Sequence, residues 1–426
     1  MARLNELSAC DIVRGIAGGK FTAEAVTRDC LERISERDSD VKAWAFTDRE
    51  IALAQARERD RSPTKGPLNG VPIGIKDIFV TFDMPTDMGS PIYKNNRSAV
   101  DASSVAIASG AGAVILGKTV TCEFAGLTPN VTRNPRNLAH TPGGSSSGSA
   151  ASVADNMVTV AYGTQTGGSV LRPASFCGVV GYKPTYNLIC RGGIQFAAES
   201  RDTIGLLTRD VDDADLVASV LTGRPAAARR DTPPKIGLCR TQFWDDASNE
   251  TKHAVEDAAK RLTAAGASIR DVTLPESFAA LSEARSIVNP VERSRSLAHE
   301  WNTARHLISP GLTRQIEEGL KISYERYLGS LQRIRACRDQ VPSVFGDVDV
   351  LLCPAAQGEA PKGLEATGDT RFQEFWTALH VPTISLPAYK GPNGLPVGIQ
   401  LVAPLYEDEK LLSAARWVFE RLGRAS

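Results

Sequence analysis

Two glycine- and serine-rich turns constrain this chain more than any other feature. The first is Gly143-Gly144-Ser145-Ser146-Ser147-Gly148-Ser149; the second is Gly163-Thr164-Gln165-Thr166-Gly167-Gly168-Ser169-Val170-Leu171-Arg172-Pro173-Ala174. Each sets a serine among glycines, and a lysine stands upstream in Gly74-Ile75-Lys76-Asp77. Glycine lets backbone N–H groups approach a ligand closely and permits conformations that other residues resist. A serine in such a turn is a candidate nucleophile beside a ready-made oxyanion hole. Taken alone, such turns also fit flexible loops or tight connections. The lysine shifts the balance, because it sits inside an apolar strand pattern, Val71-Pro72-Ile73-Gly74-Ile75-Lys76-Asp77-Ile78-Phe79-Val80. Burial there depresses its proton affinity toward a neutral, proton-accepting amine.

The rest of the chain supplies the frame. Its 426 residues suffice for one large domain or two ordinary ones. A hydrophobic content of 42% with 23% charged residues is that of an ordinary soluble globular protein. The formal net charge is zero, so no general attraction to nucleic acid or an anionic membrane is expected. The N-terminus has no apolar core of signal-peptide length, and no stretch is long enough to span a bilayer. The eight cysteines are scattered, with neither C-x-x-C pairs nor metal-ligand spacing, which predicts reduced, mostly buried thiols and a cytoplasmic protein. Short apolar runs at 71–80, 113–116, 236–239, 348–353 and 383–387 alternate with helical patterns at 9–17, 22–36, 102–110 and 407–422. That alternation predicts an α/β sheet covered by helices on both faces. Residues 57–70 and 224–235 read as polar or proline-rich connections, and 276–344 as an almost wholly helical lobe beside the sheet, placed to wall a substrate entrance.

Three other patterns lose on context. Gly112-Ala113-Val114-Ile115-Leu116-Gly117-Lys118-Thr119 matches the phosphate-loop pattern letter for letter. Such a loop needs a turn of exposed N–H groups after a strand. Here the intervening apolar run must itself be the strand, so a buried strand leaving through Gly-Lys-Thr is expected. The five histidines, His140, His253, His299, His306 and His380, supply no metal set, and neither a metal nor another cofactor is expected. Gly144-Ser145-Ser146-Ser147-Gly148 fits a Gly-x-Ser-x-Gly elbow, but that elbow follows an apolar strand directly. The residues before this one are polar and include Pro135 and Pro142. Spacing alone leaves a Ser-His-Asp triad open.

Taken together, these residues resemble the amidase signature family, Ser-Ser-Lys hydrolases of amides. The family's Leu-x-Gly-x-Pro-x-x-x-Lys-Asp is matched by residues 68–77 and its Ala-Gly-Ala-x-x-x-Gly-Lys-Thr by 111–119. Residues 142–146 and 166–169 match its serine turns, with the two serines 24 residues apart. Residues 177–185, 349–354 and 394–401 fit as well, so the resemblance covers nearly the whole chain and is thinnest in the helical block. It implies a single amidase-signature domain over 1–426, with a central mixed, twisted sheet covered by helices. The core is expected at about 60–225 and 345–405, with N-terminal helices in 1–50 and the lobe at about 276–344.

By this resemblance Ser169 is the nucleophile, Ser145 the relay and Lys76 the base. The backbone N–H groups of Thr166, Gly167, Gly168 and Ser169 form the oxyanion hole, and the Gly144–Ser145 peptide bond is cis. The implied reaction hydrolyses the C–N bond of a small amide through an acyl-enzyme, releasing ammonia or a small amine. Many members read Asp-Thr-Gly-Gly-Ser-Ile-Arg-x-Pro-Ala around the nucleophile. Here Gln165 replaces the aspartate and Arg172 lies three residues after Ser169. That form resembles malonamidase-type members, in which the arginine grips a substrate carboxylate; the alternative is that Arg172 pairs with a structural carboxylate such as Asp202. His380 stands where many relatives have glycine, either narrowing the pocket or simply packing. Gly144, Gln165, Arg172 and His380 are therefore the residues expected to face substrate.

The expected substrate is a malonamate-like amide. The alternatives are a broad aliphatic or aryl amidase, a biuret-like ureide hydrolase, and an amidotransferase A-type subunit that channels ammonia to misacylated tRNA. The neutral charge, the lack of a basic tail and the altered nucleophile motif weigh against the last. The expected assembly is a homodimer, with only a small-molecule partner and no nucleic acid or membrane.

Overall fold

The computed structural model describes residues 3–424; Met1, Ala2, Ala425 and Ser426, which the expected domain includes, lie outside the described residues. Eleven strands form one sheet. They are β1 (Trp44–Thr47), β2 (Pro72–Lys76), β3 (Val114–Thr119), β4 (Val160–Gln165), β5 (Val180–Lys183), β6 (Thr203–Thr208), β7 (Lys235–Leu238), β8 (Ser268–Asp271), β9 (Val350–Pro354), β10 (Thr383–Lys390) and β11 (Pro396–Val402). Their spatial order is β1-β3-β2-β4-β6-β5-β10-β11-β9-β7-β8. The sheet is mixed: β3-β2-β4 and β8-β7-β9 are parallel groups, and antiparallel pairs such as β4–β6 and β10–β11 join them. β2, β3 and β4 are buried along their whole length, as continuous apolar strands covered on both faces must be.

The N-terminal helices α1 (Ala9–Ala17) and α2 (Ala23–Val41) are capped by Ser8 and Thr22, whose hydroxyls accept from Asp11 and Ala25 N–H. The connection expected from residue 57 begins later. Asp48 caps α3 (Arg49–Arg61), which buries Ala52, Leu53 and Ala56 on one face and turns its charges outward. The strand pattern expected to run to Val80 instead ends at Lys76, where Ile78 and Phe79 N–H both turn back to the Lys76 carbonyl (2.7 and 3.1 Å). α4 (Ser103–Gly110) then leads into β3.

Two short helices, α5 (Ser147–Ala154) and α6 (Leu171–Cys177), follow the serine turns directly. After them come α7 (Val211–Thr222) and α8 (Asn249–Ala264), the latter burying Thr251, Ala254, Val255, Ala258, Ala259 and Leu262 on one face. The lobe comprises α9 (Leu281–Ser296), α10 (Ala298–Thr303), α11 (Pro310–Lys321), α12 (Tyr324–Asp339) and α13 (Val341–Phe345). α14 (Arg371–Ala378) and α15 (Asp408–Leu422) complete the cover. No helix among the described residues is long and apolar enough to cross a membrane. All eight cysteines are free and six are buried.

The phosphate-loop look-alike is a buried strand. Lys118, at the end of β3, is fully buried and faces Asp77 at 3.1 Å. It also donates to the Phe79 and Pro85 carbonyls and to Thr86 Oγ1 (2.9, 3.2 and 2.6 Å). Burial pushes the Asp77 carboxyl up to about 6 despite this lysine. Removing one partner of a buried pair strands the other charge, at a cost of about 3–5 kcal/mol. Lys118→Met should therefore lose that much stability in urea unfolding at pH 8. The loss should shrink below pH 6, where Asp77 takes up a proton.

Candidate active site

Ligands of open α/β sheets bind outside the carboxyl ends of parallel strands. β2 and β4 run parallel with Ile75 opposite Tyr162, which brings Lys76 and Thr164 to that end together. Lys76 is fully buried, and its Nζ donates to Ser145 Oγ and Thr164 Oγ1, each at 2.8 Å. Its neighbour Asp77 faces Lys118 instead. Burial pulls the Lys76 ammonium down from 10.5 to about 7, so a neutral amine is populated at physiological pH.

The first turn delivers Ser145 through tight backbone. Gly143 has φ +80°, and the Gly144–Ser145 peptide is cis. A Cβ on Gly144 would lie 2.7 Å from Thr367 Cγ2, so only glycine fits. Ser146 N–H donates to the Ser169 carbonyl at 3.3 Å, and Ser146 Oγ bonds both Thr164 N–H and the Thr164 carbonyl (3.3 and 3.4 Å). Ser146 thus pins the two turns to each other. Ser149 Oγ is spent on Tyr162 O and Thr119 Oγ1.

Ser169 is partly exposed and lines a cavity of about 70 Å³ together with Thr166, Gly167, Gly168, Arg172 and Arg293. Among the described residues its Oγ makes no protein hydrogen bond, so the Lys76-to-Ser145 leg is closed and the Ser145-to-Ser169 leg is not. The backbone N–H groups of Thr166, Gly167, Gly168 and Ser169 likewise donate to no protein acceptor among the described residues. They are available to an oxyanion.

The residues expected to face substrate separate. Gln165 does not line the cavity: its Oε1 accepts from Val170 and Leu171 N–H (2.9 and 3.0 Å) and its Nε2 donates to Thr377 Oγ1 (3.0 Å). It folds the second turn into α6. His380 also lies outside the cavity, stacked on Tyr186 at 3.9 Å with Nε2 bonded to the Ser200 carbonyl (2.7 Å). Burial pushes it down to about 3, so it stays neutral. The Gly144 carbonyl is taken by Arg172 Nη2 at 2.6 Å. Arg172 lines the cavity, with Nη2 also on Thr367 Oγ1 (2.9 Å) and with Nε and Nη1 unpartnered. Asp202, the structural carboxylate considered for it, instead accepts from Thr166 Oγ1 and the N–H groups of Ala197 and Ala198.

Thr164 and the α9 residues Arg285, Asn289 and Arg293 escaped the sequence reading. The one signal of the α9 residues is their polar spacing of four, which looks like any solvated helix face.

A family model described as Amidase matches residues 25–412. The chain belongs to the amidase family. It is 36% identical to the A-type subunit of the glutamyl-tRNA(Gln) amidotransferase of Geobacter sp. (strain M21), over 98% of this chain and 97% of the relative. A solved amidase structure matches it with a TM-score of 0.90 at 29% identity, covering 98% of this chain and 100% of the other. The peptide amidase of Stenotrophomonas maltophilia matches with a TM-score of 0.84 at 27% identity, covering 98% and 97%. This chain is accordingly an amidohydrolase. The malonamidase-like resemblance rests on the second turn alone, and the Geobacter relative carries the name that charge and motif weighed against.

A base must be neutral to accept a proton, so the kcat/KM of this amidase should rise with pH through a limb near 7 and level off above it. A pH–rate profile between 5.5 and 9 checks this. Thr164→Val removes one of the two acceptors orienting Nζ and should lower kcat about tenfold, the worth of one hydrogen bond.

Proposed function

We propose that this amidase hydrolyses small amides that carry a carboxylate, through an acyl-enzyme on Ser169. Neutral Lys76 accepts a proton from Ser145 as Ser145 takes one from Ser169, whose oxygen attacks the amide carbon. The tetrahedral oxyanion is held by the N–H groups of residues 166–169. Ser145 then returns a proton to the leaving nitrogen, so that ammonia or an amine departs rather than an amide anion. Water hydrolyses the ester by the same proton path. The observation that carries this reading is the 2.8 Å bond between Ser145 and a buried Lys76 whose pKa burial pulls down to about 7.

The preference for an acidic substrate is supported by the cavity wall. Arg172, Arg285 and Arg293 all line it, and among the described residues only Arg285 of these has an ion-pair partner, Glu374 at 2.9 Å. A broad aliphatic or aryl amidase would present an apolar wall there. The same reading puts the enzyme in the cytoplasm, in keeping with eight free cysteines. A second reading, an amidotransferase A-type subunit, is favoured by the 36% identity to a protein of that name. It predicts glutamine as the amide and activity that depends on partner subunits and tRNA.

Lys76→Ala and Ser169→Ala should each lose at least a thousandfold in ammonia release while keeping the wild-type circular dichroism spectrum. A fluorophosphonate should label Ser169. Substantial turnover by Ser169→Ala would sink the mechanism. In a panel of malonamate, propionamide, benzamide, biuret and glutamine, malonamate should have the highest kcat/KM. Equal rates across the panel would favour the broad amidase, and glutamine turnover only with tRNA and added subunits would favour the amidotransferase.

A further inference from the structure

α9 presents Arg285, Asn289 and Arg293 at spacings of four, a stripe about 12 Å long on one helix face. All three line the cavity beside Ser169. Each also carries a polar atom without a partner: Arg285 Nε, Asn289 Oδ1 and Arg293 Nε. Unsatisfied buried groups are costly, and a row of them on one wall is unexplained by packing.

Arg293 is the most telling of the three. It is 4% exposed, and its Nη1 donates to the Phe124 carbonyl at 2.7 Å, which fixes the plane of the guanidinium. Among the described residues no carboxylate lies within ion-pair distance of it, and Asp202 is occupied by Thr166, Ala197 and Ala198. A guanidinium grips two carboxylate oxygens in parallel through either of two edges, Nε with Nη2 or Nη1 with Nη2. In Arg293 the first edge is free. In Arg172, Nη2 belongs to both edges and is already spent on Gly144 O and Thr367 Oγ1, leaving Nε and Nη1, which point apart. Arg172 therefore offers single bonds, whereas Arg293 offers a paired grip.

We infer that Arg293 is the residue that grips the substrate carboxylate, with Asn289 and Arg285 extending the same anion-binding face from the helical lobe. The inference rests on the reading of an acidic substrate, and it moves the main contact from the serine turn to α9. The approach agrees with it. Leu127, Arg285, Asn289 and Gln315 also line an outer cavity of about 590 Å³, so a ligand entering by that route passes the arginine face before reaching Ser169.

The test uses malonate as the probe and calorimetry on the whole protein, which needs no turnover. Arg293→Lys keeps a charge and a donor for the Phe124 carbonyl but has no paired edge; Arg293→Ala removes both. Asn289→Asp places a competing carboxylate one turn away. Malonate affinity should fall at least tenfold in all three, with thermal denaturation used to verify folding. In the Arg293 variants KM should rise at least tenfold more for malonamate than for propionamide. Wild-type affinity in folded Arg293→Lys and Asn289→Asp overturns the assignment, as does a wild-type protein that binds no malonate. A loss of malonate binding in a protein that hydrolyses no amide would sink the amidase substrate reading and leave the Arg293 site standing. A malonamate preference lost in Arg172→Ala but kept in both Arg293 variants would do the reverse.

Discussion

Everything at this site depends on a lysine buried at the end of a parallel strand with two hydroxyls as its partners. Three buried lysines in this protein make the point by contrast. Lys118 is desolvated too, but it faces Asp77 at 3.1 Å and serves as half of an ion pair. Lys183 is depressed to about 7, as Lys76 is, yet it donates to the Pro184 and Val381 carbonyls, which have no proton to give. Of the three, Lys76 alone combines the depressed affinity with hydroxyl partners, Ser145 and Thr164, and no carboxylate to hold it as an ammonium. Burial lowers the pKa, and the identity of the partner decides what the low pKa is used for.

The surrounding structure holds that contact in place from both sides. Parallel pairing of β2 with β4 sets Lys76 near Thr164, and Ser146 ties the first turn to the second through Thr164 and the Ser169 carbonyl. Gln165 closes the second turn on the start of α6. The serine turns are thus tightly held, and at Gly143, Gly144, Gly148, Gly163 and Gly168 other atoms stand within 3 Å of where a Cβ would be. This precision suits oxyanion stabilisation, which works only if the donors are in position before the reaction.

The proposed chemistry and the proposed selectivity lie in different parts of the molecule. Lys76, Ser145 and Ser169 stand at the end of the parallel strands, while two of the three arginines of the cavity come from α9 in the lobe. Relatives of different names match this chain over nearly its full length.

The motif residues were legible because the chemistry demands particular residue types at fixed local spacing: glycine where a Cβ would collide, serine within the turn, lysine in an apolar run. The β3 strand was legible for the same reason, and hydrophobic continuity alone was enough to reject the phosphate loop. Gln165 and His380, expected to face substrate, lie outside the cavity beside Ser169, because a sequence shows that a residue departs from a pattern, not which way its side chain turns. Gln165 accepts from the backbone N–H groups just past Ser169, and His380 stacks on Tyr186, a partner far off along the chain. The sequence by itself determined the family, the strand-and-helix alternation and the motif positions of Lys76, Ser145 and Ser169, since these rest on local composition and steric demand. Only the tertiary structure decided that Lys76 has hydroxyls and no carboxylate beside it, and that α9 turns its arginines into the cavity. Desolvation and hydrogen-bond partnership belong to contacts between distant segments, and no single segment contains them.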